Sequence, residues 1–312
     1  MNSPWERDLA ACRATLASDP DAARGMALKL LKEARNNGER VRATLTLAGV
    51  EKEKGQLMSY REEIERASRF QRPGPLARSE LAGRWAQLHL YEADLQAAAI
   101  AANEAVDLAS PLASAAPSYR RTFRAAAVVP RAAYAAALVT RAQVRVGQGM
   151  AVLALPDAVT ALKCVDPRFS AHIHVAGLST LGTILVLPGV ATTPDVPRCV
   201  LNLCRLAQRI LKARRIKARD PHRIMIRGIE ALAMALLGSV DRAEALLERT
   251  IREFRKAGHE RDAEVFVEHM VWLVGNRAGQ TGRARLVAQR HGPTFRSVKR
   301  VTPPDDDEPI GF

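Results

Sequence analysis

Two stretches far apart in the chain, ADLQAAAIAANEAVDLASP at 93–111 and GSVDRAEALLERTIREF at 238–254, follow the same side-chain pattern. Each opens on a small residue after an upstream helical segment. An apolar residue follows (Leu95 or Val240), then a small one (Ala98 or Ala243), then Ala102 or Leu247, then Ala105 or Thr250. GQLMSYREEIERA at 55–67 fits the same frame with Leu57, Ile64 and Ala67, although Tyr60 fills the small position. This spacing puts one stripe on one face of a helix. The segments upstream supply a matching small residue at Ala48, Ala86 and Ala231. Two antiparallel helices that cross closely need a small side chain at the contact and a large one where they splay. A repeated helical hairpin explains the pairing.

The rest of the chain supports an all-α reading. Hydrophobic residues make up 47% of the sequence, much of it alanine, and aromatics only 4%; alanine favours helix and lets helices approach. Ser3-Pro4-Trp5-Glu6 reads as a helix start with a capping box. Helices are expected up to Ser18, from Asp19-Pro20 to about Asn36, and over 39–54, 58–70, 77–92 and 95–109. SPLASAAPS at 110–118 reads as a linker. The Ala-rich middle is expected to hold helices at 119–129, 130–147, 150–164 (kinked by Pro156) and 170–186, with a loop over 187–197. Helices at 198–217, 222–237, 240–257, 260–275 and 281–291 follow. This divides the chain into N-terminal hairpins (1–109), C-terminal hairpins continuing the same array (119–292) and a disordered acidic tail (293–312). The N-terminus shows no basic segment leading into an apolar one, so no signal peptide is expected. The uncharged run around 175–190 carries Pro188 and three glycines and reads as a buried helix, not a membrane span.

The small-residue frame resembles the second helix of a tetratricopeptide repeat, and Ala48, Ala86 and Ala231 match the small position of its first helix. The usual Trp/Tyr positions hold other residues. The turns at Gly55 and Ala93, and at Gly238 and Gly279, lie farther apart than that family's period of about 34. Residues 112–197 fit poorly. The run from LLGSVDRAEALLERTIREFRKAGHERDAEVF into LVGNRAGQTGRARLVAQ resembles the last repeats of bacterial repeat proteins carried by regulatory or signalling genes. The resemblance implies a right-handed superhelical solenoid of about seven antiparallel helical hairpins. Its function would be that of a non-enzymatic scaffold with a protein or peptide partner in its concave groove. First-helix residues outside the packing positions, Arg84, His89, Arg141, Arg145, Arg227 and His269, are the candidate partner-binding side chains.

Motifs for catalysis are weak. GNRAGQTGRA at 275–284 lacks the Gly-Lys-Ser/Thr of a phosphate loop and follows no strand. No His-Glu-x-x-His occurs, and His172 and His174 diverge on a helix. Glu264 and Glu268 share a face without the Glu-x-x-His pairs of a di-iron site. Cys12, Cys164, Cys199 and Cys204 form no Cys-x-x-Cys pair, which fits a reduced, cytoplasmic compartment. No enzyme activity, cofactor or metal is expected; an accessory subunit of an enzyme is a further option. The net charge of +14 points to an acidic partner or nucleic acid. A basic stripe of Arg205, Arg209, Lys212, Arg215, Arg219 and Arg223 concentrates it, with Asp220 the only acid between 205 and 227. Such a stripe suits a nucleic-acid-associated regulator that tracks phosphates, or an acidic peptide such as Asp305-Asp306-Asp307-Glu308 of the chain's own tail.

Overall fold

A computed structural model describes residues 3–16, 19–116, 125–168, 170–187, 190–191, 193–214 and 220–272. Within them the chain is all-α. Thirteen helices follow one another: α1 (Pro4–Thr15), α2 (Pro20–Glu33), α3 (Asn37–Glu53), α4 (Leu57–Ser68), α5 (Pro75–Tyr91), α6 (Leu95–Ala115), α7 (Ala125–Gly147), α8 (Ala151–Cys164), α9 (Ala171–Val186), α10 (Asp195–Ala213), α11 (Pro221–Leu236), α12 (Val240–Lys256) and α13 (Glu260–Trp272). No helix of the described residues is long and apolar enough to cross a membrane. The expected helix at 281–291 and the acidic tail lie outside the described residues.

Local chemistry sets the helix starts. The side chains of Ser3, Asp19, Asn36 and Asp94 each accept a hydrogen bond from the backbone N–H three residues on, and prolines occupy the first turns of α1, α2, α5 and α11. The capping box at α1 is half formed. Ser3 Oγ caps the Glu6 N–H at 3.2 Å, but the Glu6 carboxylate pairs with Arg42 of α3.

One turn recurs five times. Backbone N–H groups of Gln56, Asp94, Met150, Ser239 and His259 each reach back to the carbonyl five residues earlier, at 2.8–3.0 Å. The residue before each donor takes a left-handed conformation, at Gly55, Ala93, Gly149, Gly238 and Gly258. The next helix starts directly after the donor each time, at Leu57, Leu95, Ala151, Val240 and Glu260. The repeated sequence frame is therefore also a repeated turn, with Ala93 accepting the strain that glycine avoids elsewhere.

Every helix packs on the next in sequence, and α3, α5, α7, α9 and α11 also pack on one another in order. No even-numbered pair packs to a comparable extent among the described residues. The core is correspondingly divided into clusters, each built from neighbouring helices, from Trp5, Leu9 and Leu30 at one end to Phe254, Phe266 and Met270 at the other. The packing residues of the frame are buried: Ala48, Ala86 and Ala231 are fully covered, as are Tyr60, Ala98, Ala102 and Ala105. Two turns far apart in the array also meet. A side chain at Gly55 would come within 2.4 Å of the Gly258 carbonyl oxygen, so the α3–α4 and α12–α13 turns touch backbone to backbone.

The middle departs from the sequence expectation. Residues 110–115 are helical, because α6 runs on through Pro111 to Ala115. A proline there removes one backbone hydrogen bond, while Ala109 and Ala113 stay buried against neighbouring helices, and burial prevails. Similarly, 125–147 is one helix with Pro130 inside it, and the helical segment expected over 119–129 survives only from Ala125 among the described residues.

Candidate functional site

The odd-numbered helices carry a polar stripe where a buried helix would be expected to be apolar. On α5, Glu80, Arg84, Gln87 and Tyr91 recur one helical turn apart, and Arg42, Thr46, Gly49 and Glu53 do so at the same spacing on α3. Every residue from Val41 to Glu51 is buried, so the polar groups of this stretch must find partners inside the protein.

Those partners form a ladder across successive helices. Glu80 of α5 accepts both guanidinium arms of Arg13 of α1, at 3.1 and 2.5 Å, and the Nε of Arg42 of α3 at 3.2 Å. Arg13 also donates to Thr46 Oγ1 at 3.3 Å. Further along, Gln87 Nε2 donates to Thr140 of α7, and Gln143 Nε2 of α7 to Thr180 of α9, each at 3.3 Å. Burial alone would raise the Glu80 carboxyl; Arg13 and Arg42 outweigh it and hold its pKa down to about 2.

At the centre of the ladder two cations share one neutral acceptor. Gln87 Oε1 receives Lys52 Nζ at 3.4 Å and Arg84 Nη1 at 3.2 Å, with the Tyr60 hydroxyl 3.5 Å away. Lys52 Nζ lies 5.5 Å from the centre of the Tyr91 ring. At Gly49 of α3 the close neighbour is Leu16, whose Cδ1 would lie 3.0 Å from an added side chain, with Arg84 Nη2 at an ordinary 3.5 Å. Burial, then the charge of Arg84, holds the Lys52 ammonium below its ordinary pKa, while Glu53 and Asp262 act the other way.

His172 of α9 is an exposed side chain that feels the charges of Arg13 and Arg84. Desolvation by the surrounding protein, then the charges of His222, Arg13 and Arg84, holds its imidazole down to about 4, although the side chain itself still meets solvent. A histidine whose pKa falls on folding is kept neutral by the native state. Its contribution is fully present above the ordinary value of 6.5 and declines as pH falls toward about 4, and solvent screening at an exposed side chain keeps it small. His172→Gln is expected to flatten that limb of the stability curve, read by urea unfolding at successive pH values; an unchanged slope would contradict this placement. His174, two residues on, turns instead to the Val165 carbonyl at 3.3 Å.

Of the side chains chosen from sequence, Arg84 alone lies in this cluster. Arg141 and Arg145 of α7 both bind Asp157 of α8, at 2.8–2.9 Å, so they join the two helices of one hairpin. Arg227 of α11 pairs likewise with Glu253 of α12. His89 stacks on Trp85 with ring centres 5.5 Å apart, near Glu92. His269 meets the Val265 carbonyl at 2.7 Å and lies beside Phe266. The basic stripe divides. Arg205, Arg209 and Lys212 are exposed along α10, Arg223 is half-buried on α11, and Arg215 and Arg219 lie outside the described residues. Among the described residues no three His, Cys, Asp or Glu side chains converge as metal ligands.

Sequence reasoning missed Lys52, Glu80, Gln87, Arg13, Arg42 and His172. The signal was the polar stripe itself, Glu80-Arg84-Gln87-Tyr91, on a helix whose Ala82 and Ala86 are packing residues. Compared with known proteins, the chain matches no family model, and no curated protein matches it.

Proposed function

We propose that this chain is a non-enzymatic protein- or peptide-binding scaffold. Its helices form a right-handed superhelical solenoid of antiparallel hairpins similar to tetratricopeptide repeats, and an acidic peptide segment lies along the row of odd-numbered helices. Several features support the solenoid: the recurring turn, the series of local core clusters, and the packing of each odd-numbered helix on the next. The ligand reading rests on one observation, the Lys52–Arg84 pair. Neither cation has a carboxylate within ion-pair distance among the described residues; they share the neutral oxygen of Gln87. A negatively charged segment supplies the charge that the amide lacks.

Selection of peptides from a random display library tests this. The wild-type chain is expected to enrich acidic sequences, and the Lys52→Glu/Arg84→Glu double variant to lose them. Enrichment of the same sequences by both, or of none by the wild type, would overturn the reading.

The exposed Arg205, Arg209 and Lys212 on α10 favour a second reading, a nucleic-acid-associated regulator. Only Arg205 among them has a side-chain partner among the described residues, Asn202 at 3.2 Å. That reading requires binding to a generic duplex that weakens steeply with salt and disappears when the three are reversed to Glu. Absence of binding at low salt removes it.

A further inference from the structure

We propose that Lys52 and Arg84, converging on the position now held by the side-chain oxygen of Gln87, form a binding site for a single oxyanion, a phosphate or a carboxylate group. It rests on the inner row being the ligand-binding face.

The geometry is that of an anion site with a neutral stand-in. Gln87 Oε1 takes two cationic donors, at 3.4 and 3.2 Å, beside a phenol hydroxyl at 3.5 Å. An amide oxygen carries a fraction of a charge, and charge-assisted hydrogen bonds to a full anion are shorter and roughly twice as strong. These separations are long for cationic donors, as expected for an acceptor too weak to draw them in.

Neighbouring acids do not replace the missing anion. Glu80 is occupied by Arg13 and Arg42. Glu53 and Asp262 influence Lys52 without reaching ion-pair distance among the described residues. Arg84 acts unfavourably on Lys52 and on His172, and its one favourable charge partner is Glu80 one turn back, which lies beyond ion-pair distance among the described residues. The position can open to a small ion because the Gln87 side chain is free to swing aside: beyond this cluster it holds only Thr140, by a single hydrogen bond at 3.3 Å.

Thermal unfolding of the full chain, in phosphate, acetate or chloride at matched ionic strength, tests the site without reference to any peptide. Phosphate or acetate is expected to raise the melting temperature over chloride in a saturable way. The anion that does so identifies the source, a phosphorylated ligand or an acidic one. Lys52→Ala and Arg84→Ala should each weaken that binding at least roughly tenfold, the loss of one charge-assisted contact. Gln87→Glu guards against simple misfolding: a carboxylate built in between the two cations should raise stability in chloride and abolish the response to added anion. Equal melting temperatures in all three salts, or a response that survives in Gln87→Glu, would overturn the proposal. A chain that responds to phosphate in this pattern yet selects no peptide keeps the site and loses the scaffold reading.

Discussion

Glu80→Gln is expected to destabilise the chain by about 3–5 kcal/mol at neutral pH, the range for removing one partner of a buried ion pair. The glutamate sits between Arg13 and Arg42, and Arg42 is only 4% exposed. Removing its charge leaves Arg42 with Glu6 alone and Arg13 without a counter-charge, and it loosens the ladder that ties α1 and α3 to α5. The effect has a pH signature whose sign follows from the depressed pKa. Wild-type Glu80 titrates at about 2 in the folded chain against an ordinary 4.5. Its contribution is therefore complete above about 4.5 and is lost as pH falls through about 2. Urea unfolding at successive pH values should show the difference between wild type and Glu80→Gln constant near neutrality, then shrinking below about pH 4.5. A difference independent of pH down to that range would mean that the charge of Glu80 is not what joins the three helices.

Phe254→Ala is expected to cost a similar amount, about 3–5 kcal/mol, through the cavity it leaves. The ring is fully buried on α12, stacks on Phe266 of α13 with centres 5.7 Å apart, and meets His259 edge-on. Phe266 in turn covers Gly228 of α11, where even a methyl group would come within 2.2 Å of the ring. Phe254 thus joins α11, α12 and α13. Because the core is divided along the chain, the damage should stay local. Hydrogen exchange is expected to quicken through α11–α13 while α1–α3 keeps its protection. Uniform acceleration along the chain would contradict the divided core.

The hairpins were legible because they depend on local chemistry. Gly55, Gly238 and Gly258 mark turns by their left-handed backbone, and Ala48, Ala86 and Ala231 mark close crossings by their size. Pro111 and Pro130 were misleading for a physical reason. As local breakers they argue for a linker and a helix boundary, but the burial of Ala109 and Ala113 carries α6 past Pro111, and α7 runs through Pro130, whose described neighbours are half-buried, to its buried positions at Ala135 and Ala137. The candidate site was less legible. Arg84 could be chosen for its charge and its place on a first helix. Arg141, Arg145 and Arg227 have the same credentials, yet each meets an acid on the following helix, Asp157 or Glu253. What separates them is a partner's position in space, which no spacing along the chain encodes. Lys52 and Gln87 come together only because α3 and α5 pack side by side.

Ligand footprinting by hydrogen exchange tests the central claim most directly. With an acidic peptide selected on the wild-type chain, added protection should fall on α3, α5 and α7, centred on Lys52, Arg84 and Gln87, and should vanish in Gln87→Glu. Protection confined to α10 around Arg205, Arg209 and Lys212, with the inner row unchanged, would contradict the account and move the function to the outer basic stripe.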